Sequence, residues 1–148
     1  MQDLNFKSNH VVALILRLTA GLVMFPHGAQ FLFGWFGGFG FDASMNYLVT
    51  NERLPWIIGF LVIMIQFFGS LMLILGLFTR LNALALIGVV VGMIFSHTDH
   101  GFFMNWLGNQ NGEGFEYHLL FLGICAGCLV LGSGKFSLDN ILFKLRNL

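Results

Sequence analysis

The sequence predicts an all-α membrane protein, in which a bundle of four transmembrane helices is followed by a C-terminal amphipathic interfacial helix. Of its 148 residues, 57% are hydrophobic and only 9% are charged, whereas soluble domains carry about 25% charged residues. Apolar runs occupy about 11–26, 56–78, 81–96 and 117–132. Each run suits a membrane helix and is too continuous for an alternating membrane strand. We expect residues 1–148 to form a single membrane domain.

The connections between these runs differ in chemistry. "GWFGGFGFDASMNYLVTNERLP" is predicted to be a loop rich in Gly and Phe, and "HTDHGFFMNWLGNQNGEGFE" a polar loop with Gly hinges. "TRLN" is a tight turn. The second and third spans should therefore form an antiparallel hairpin.

The basic residues predict an orientation. If the four spans alternate in direction, one side of the membrane holds Lys7, Arg80, Lys135, Lys144 and Arg146, and the other holds only Arg53. The positive-inside rule then places both termini in the cytoplasm, in an inner-membrane protein. The tail "SLDNILFKLRNL" has the apolar spacing of an amphipathic helix and is expected to lie along the inner surface.

The charge balance excludes one class of partner. The formal net charge is zero, so the chain has no basic field to attract nucleic acid. The glycines of "GWFGGFG" also lack the strand and helix context of a dinucleotide-binding turn. The expected partners are the lipid bilayer and other membrane or periplasmic subunits, or further copies of the chain.

Polar residues should converge at the outer ends of the spans. The candidate ligand-binding residues are His27, His97, His100, Glu116 and His118, together with Gln66 inside the second span. His97 and His100 are three residues apart, a spacing that would also suit two ligands of one metal. The alternative is that histidines at headgroup level are simply tolerated amphipathic side chains, and the sequence leaves both interpretations open.

Three further polar residues are structural candidates: Arg17, Arg80 and Asp139. Arg17 lies inside the first span, where a charge is costly unless it finds a partner. We expect it to bond to the segment "GSGKFSLD", which contains Asp139. Gln66 should face the bundle interior, because its amide would be unsatisfied in lipid.

Small residues recur within the spans. "GVVVG" and "GICAG" are small-xxx-small patterns that favour close packing of helices or dimerisation. Cys125 and Cys128 form "CAGC" in the fourth span. Burial in the membrane favours two packing residues over a redox pair.

Several of these segments together resemble the DoxX family of membrane proteins. The resemblance rests on "LRLTAGLVMFPHGAQ", "LILGLFTRLNA", "SHTDHGFF", "EYHLLFLG" and "GSGKFSLD", in that order. It implies a four-helix membrane protein associated with redox chemistry, because the namesake belongs to a thiosulfate:quinone oxidoreductase. The matching positions are Arg17, His27, Gly28, Arg80, His97, Glu116 and Asp139. Gln66 stands where many relatives carry an acidic residue, so a proton relay through that position is in doubt.

Two functions follow as hypotheses. The first is an accessory subunit of a quinone-linked redox complex, with the quinone head group bound in a polar pocket at the outer face. The second is a non-catalytic membrane scaffold or assembly partner of a larger complex. A metal or haem held by the histidines is a less favoured cofactor than a quinone.

Overall fold

The computed structural model describes residues 2–146, which form six α-helices and contain no strand. The helices are α1 (Gln2–Phe33), α2 (Phe41–Thr50), α3 (Trp56–Leu75), α4 (Thr79–His97), α5 (Glu116–Leu131) and α6 (Leu138–Arg146). The middle of α3 has one π-helical segment, Ile65–Gly69. The all-α prediction is confirmed.

Four of these helices are apolar enough to belong in a bilayer. Three stretches are also long enough to cross it: Ser8–Phe33 of α1, Trp56–Leu75 of α3, and Thr79–His100, which is α4 with the 3-10 turn Thr98–His100 that follows it. The fourth, α5, has 16 residues and therefore rises about 24 Å, somewhat less than the roughly 30 Å hydrocarbon core. The chain is a multi-pass membrane protein.

The four membrane helices pack in a ring, in which α1 contacts α3 and α5, and α4 contacts the same two helices from the other side. The main core combines Ala20 and Met24 of α1 with Leu73, Leu86 and Phe121 of the other three helices. We call the end of the bundle that carries the tight turn Gly76–Phe78 the turn end. The opposite end, which carries α2 and residues 101–115, is the loop end.

The first helix begins before the predicted span, at Gln2. At its other end it also continues beyond the predicted span, through Pro26 to Phe33. The reason lies at Gly28, where a Cβ atom would come within 2.4 Å of the Phe67 backbone nitrogen in the π segment. Only glycine permits this approach of α1 to α3. The contact holds α1 in place beyond the proline, so His27 lies inside the helix rather than at its end.

We predicted that the whole Gly- and Phe-rich connection is a loop. This is wrong for its second half, which forms α2. Met45 and Leu48 of α2 are buried with Ile63 of α3 in a second apolar cluster. This packing gives the short helix a stable position at the loop end.

The C-terminal helix has the amphipathic character that the sequence predicts. Its apolar side chains are all exposed: Leu138, Ile141, Leu142, Phe143 and Leu145. Lys144 and Arg146 lie in its last turn. An exposed apolar face beside basic residues suits a helix that lies in the membrane interface.

The predicted small-residue packing is only partly observed. Gly127 of α5 does contact α1, where an added Cβ atom would lie 2.6 Å from Leu16. At Gly88, Gly92 and Gly123 an added Cβ atom would meet nothing within 4 Å, so these glycines do not mediate packing among the residues described. Cys125 and Cys128 are free, fully buried members of the main core.

Candidate functional site

A cavity of about 480 Å³ lies at the loop end, between α1, α2, α3, α4 and α5. Its apolar walls include Val23, Met24, Phe31, Leu48, Leu54, Ile58, Val62, Val89, Met93 and Phe121. Its polar lining consists of His27, Tyr47, Glu52, Gln66, Ser96, His97, Tyr117 and His118. A mostly apolar cavity with a few convergent polar groups is the usual form of a small-molecule site.

The cavity exists because α3 and α4 separate towards the loop end. The two helices pack against each other through the π segment and the residues that follow it. The first part of α3, Trp56–Met64, packs instead on α1 and α2. The hairpin is therefore closed near its turn and open beyond Gln66.

Gln66 is the deepest polar group of the cavity. It lies in the π segment and is 0% exposed, yet neither Oε1 nor Nε2 has a hydrogen-bond partner. Leaving a buried polar group unsatisfied costs about 1–3 kcal/mol. π-Helical segments occur frequently at functional sites, and this one directs an unsatisfied amide into an apolar cavity.

Two histidines stand side by side on α4 and α5. The ring centroids of His97 and His118 are 4.8 Å apart. Nδ1 of His97 lies 2.7 Å from the carbonyl oxygen of Met93 and must donate a proton to it, since a carbonyl only accepts. The Nε2 atom of a neutral His97 is then an acceptor. Nδ1 of His118 is buried without a partner.

Glu52 links two sides of the cavity at the loop end. Its carboxylate accepts hydrogen bonds from the Tyr47 hydroxyl (2.8 Å) and the Ser96 hydroxyl (2.6 Å). These hydrogen bonds hold the pKa of Glu52 below its ordinary value, and the electrostatic effect of the nearby His97 contributes a smaller part. The bond to Glu52 also raises the pKa of Tyr47. We call this Tyr47–Glu52–Ser96 arrangement the latch, because it joins α2 and the following loop to the end of α4.

Four of the six predicted ligand-binding residues line this cavity, and two do not. His27, Gln66, His97 and His118 are brought together. Glu116 instead accepts hydrogen bonds from the Met104 backbone (3.1 Å) and the Trp106 indole (3.3 Å), and so holds the loop of residues 101–115. His100 is exposed, and its ring lies against Gly112 of that loop.

No group of three or more His, Cys, Asp or Glu side chains suited to a metal ion occurs among the residues described. The predicted pair, His97 and His100, has ring centroids 6.3 Å apart. A metal on this pair stays a prediction.

The structural polar candidates lie at the turn end, where Arg17 is only 2% exposed. Its Nη1 atom donates to the carbonyls of Leu73 (3.0 Å) and Ile74 (2.6 Å), and Nη2 donates to Phe136. The expected bond to the "GSGKFSLD" segment is thus made to a backbone carbonyl rather than to Asp139. A cation is favoured at the C-terminus of α3, where unpaired carbonyls carry partial negative charge.

Asp139 stabilises the end of the tight turn, where α4 begins. Its carboxylate accepts hydrogen bonds from the backbone N–H groups of Phe78 (2.8 Å) and Thr79 (3.3 Å) at the start of α4. Phe78 has a left-handed φ of 47°, a conformation that costs a non-glycine residue about 1–3 kcal/mol. The negative charge at this helix N-terminus offsets that strain.

Arg80 completes the turn end by donating to the Val130 carbonyl (3.3 Å) near the C-terminus of α5. It borders a second, shallow cavity of about 490 Å³ with Asp139 and Gly132. Arg80 already bonds to the end of α5, and Asp139 to the start of α4. Their arrangement is therefore that of residues that connect helices.

Tyr47 and Ser96 are site residues that no sequence motif singles out. Tyr47 belongs to α2, a segment that the sequence predicts to be a loop, and Ser96 is one hydroxyl near the end of an apolar run. The spacing of Phe41, Met45 and Leu48 was the available signal for an amphipathic helix that would carry Tyr47 into the site.

Comparison with known proteins identifies one matching family. The DoxX family matches residues 12–99, which include α3, α4 and most of α1. A protein of Bacillus subtilis (strain 168) with the name "Putative oxidoreductase CatD" is 28% identical over 142 residues, covering 93% of this chain and 92% of that protein. No solved structure matches the chain.

Proposed function

The chain belongs to the DoxX family, and on that premise we propose that it is an accessory component of a redox-linked membrane system that binds a quinone head group in its loop-end cavity. The observation that carries this proposal is the unsatisfied amide of Gln66 at the bottom of an apolar cavity. The name of the Bacillus subtilis relative, an oxidoreductase, supports a redox context.

The polar groups of the cavity suit a quinone ring. A quinone carbonyl accepts hydrogen bonds, and Nε2 of Gln66 is a buried donor without a partner. His118 and His97 stand nearer the loop end, where His118 can donate to the second oxygen and Nε2 of His97 can accept the accompanying proton. The apolar walls of the cavity, Phe121 among them, would contact the faces of the ring.

The bound quinone would supply the redox chemistry, and the protein would orient it. Gln66 fixes one end of the ring, and the latch keeps Glu52 and Ser96 at the rim near His97. Electrons would reach the site from a partner subunit of the system. We place both termini in the cytoplasm of an inner-membrane protein, with the cavity near the outer face, because basic residues cluster at the turn end.

The test is quinone retention by protein purified gently from its own membranes. Quinones are extracted and quantified by mass spectrometry, per mole of polypeptide, for the wild type and for Gln66→Met. We expect close to stoichiometric quinone in the wild type and at least a tenfold loss in the variant. Absence of quinone from the wild type, or equal retention by both proteins, contradicts the proposal.

Gln30→Met is the matched control for this test. Gln30 carries the same amide on the same bundle, but it donates to the Phe36 carbonyl and does not line the cavity. The substitution should leave quinone retention unchanged. A parallel loss in this control would mean that the amide-to-thioether change acts through the fold.

One observation favours the scaffold function as a second candidate. The connection between α1 and α2 exposes large aromatic side chains, with Phe39 88%, Phe36 64% and Trp35 53% exposed. Such side chains suit burial in a partner or the headgroup layer. If Phe39→Ser removes a co-purifying subunit while the wild type holds no quinone, the scaffold function replaces the first proposal.

A further inference from the structure

One wall of the cavity is a strip of α4 without large side chains. Gly88, Gly92 and Ser96 recur at intervals of four residues and therefore share one face of the helix. All three line the cavity and are exposed. A Cβ atom added at Gly88 or Gly92 would meet nothing within 4 Å, so the strip is open space.

The facing wall is a stripe of α3 that leads to the buried amide. Ile58, Val62 and Gln66 also recur every four residues, and all line the cavity. The α3 stripe and the α4 strip belong to the two helices that separate beyond the π segment. The gap between them therefore runs from Gln66 to the surface of the bundle.

The depth of the glycines along α4 determines what surrounds the gap between α3 and α4. Gly88 is nine residues from each end of α4, about 13 Å from either end at 1.5 Å per residue. At that depth an exposed side of a membrane helix faces hydrocarbon rather than water. Val91 and Phe95 of α4 are likewise exposed, as expected for a surface in contact with lipid.

At the rim of the cavity nearest to water, hydrogen bonds connect the two sides of the gap. The Ser96 hydroxyl donates to Glu52 across 44 residues of sequence, and Tyr47 donates to the other carboxylate oxygen. These bonds connect the loop before α3 to the end of α4. The latch thus bridges the two helices at their loop ends, while the glycine strip below remains open to the side.

We propose, on the basis of the quinone function above, that the ligand is a lipid-dissolved quinone with a long apolar tail, which reaches the cavity sideways from the bilayer between α3 and α4. Its head group lies at Gln66, and its tail crosses Gly88 and Gly92 into the lipid. The glycines leave the space that the tail needs. The latch separates the bound ring from the water at the loop end.

The experiment compares two probes by native mass spectrometry of the detergent-purified protein. Decylubiquinone carries a ten-carbon tail, and 2,3-dimethoxy-5-methyl-1,4-benzoquinone has the same head group without a tail. Each is added at equal concentration to the wild type, Gly88→Leu and Gly92→Leu. Leucine at either position fills the strip. We expect at least a tenfold fall in decylubiquinone occupancy and less than a threefold change for the tail-less probe.

Gly123→Leu is the matched control. Gly123 is also exposed in the middle of a membrane helix, with nothing within 4 Å of an added Cβ atom, but it lies on α5 and does not line the cavity. This variant should bind both probes as the wild type does. Its behaviour separates filling of the strip from the general effect of placing leucine at a glycine.

The other outcomes are also decisive. If the wild type binds neither probe, the quinone function itself fails. If the wild type binds both and the two strip variants still hold decylubiquinone, only sideways access through the strip is overturned. Loss of both probes would place the leucines in the head-group site and overturn the assignment of the strip to the tail. A wild-type dimer that Gly88→Leu converts to monomers, with unchanged probe binding, would assign the strip to a second copy.

Discussion

Buried polar side chains at the turn end bond to the backbone, whereas those at the loop end leave bonding capacity unused. Arg17 donates to the carbonyls of Leu73, Ile74 and Phe136, and Asp139 accepts from two N–H groups. Among the residues that the structure describes at that end, Nε of Arg17 and the Thr79 hydroxyl are buried without partners. In the loop-end cavity the side chain of Gln66 makes no hydrogen bond, and Nδ1 of His118 has none.

The contrast separates polar residues that hold the fold from polar residues that are available to a ligand. At the turn end the side chains occupy positions where helix ends need a donor or an acceptor. Gln66 lies in the middle of α3, away from either end of that helix. Its burial therefore lowers stability unless something else in the cavity bonds to it.

The largest expected effect is loss of Arg17. Arg17→Met keeps an apolar stem but removes the charged donor of three backbone carbonyls. Because hydrogen bonds from charged groups contribute about 1.5–3 kcal/mol each, we expect the free energy of unfolding to fall by about 3 kcal/mol or more. The measurement is titration with a denaturing detergent, followed by circular dichroism.

Arg53→Met is the control, because Arg53 is an exposed arginine at the loop end. It should shift the unfolding midpoint by a small fraction of the Arg17→Met effect. Equal stability of Arg17→Met and the wild type would remove the structural role assigned to the turn end.

A smaller effect of opposite sign is expected at Gln66. In ligand-free protein, Gln66→Met replaces an unsatisfied buried amide with an apolar side chain of similar size. We expect the free energy of unfolding to rise by about 1 kcal/mol, although the same variant loses quinone retention. The same detergent titration measures it, and destabilisation comparable to that of Arg17→Met would erase the difference between the two ends.

The smallest effect concerns the latch and depends on pH. Because its hydrogen bonds lower the pKa of Glu52 from 4.5, the ionised carboxylate stabilises the folded state above that value. This contribution is lost as the pH falls through the lower folded-state pKa. Glu52→Gln should cost less than about 1 kcal/mol at pH 7 and should flatten the fall in melting temperature below pH 4.5.

Melting temperature measured from pH 3 to pH 7 tests this expectation. Glu113→Gln is the control, because it removes a different carboxylate, which accepts a hydrogen bond from the Asn105 backbone in the loop of residues 101–115. This variant should keep the wild-type dependence of melting temperature on pH. If Glu52→Gln also follows the wild-type profile, the latch does not contribute to stability.

The architecture could be predicted because it follows from local sequence properties. Long apolar runs and their breaks identified the membrane helices, and the spacing of residues 138–145 identified α6. The extent of α1 could not be predicted, since it depends on the contact between Gly28 and the π segment. α2 was missed because its buried face is short and follows a run of glycines.

The composition of the site was harder to predict than the fold. The sequence placed His27, His97 and His118 at one level, but the level of a side chain does not fix its direction around the helix axis. Glu116 therefore turned out to hold a loop rather than line the cavity. Similarly, Gly88 and Gly92 fit a packing pattern, and only the separation of α3 from α4 shows that no part of the chain described by the structure packs on them.

The bonds of the turn end also bear on how the protein is made. Arg17 is synthesised well before its partner Phe136, which lies 119 residues later in the sequence. Asp139, which holds the start of α4, lies 61 residues after Phe78. Until the segment that contains Phe136 and Asp139 is in place, the nascent bundle carries an incompletely paired arginine and a strained turn. Phe136 and Asp139 therefore complete the bonding of the turn end, and a chain shortened before residue 136 would leave Arg17 and the start of α4 without these partners.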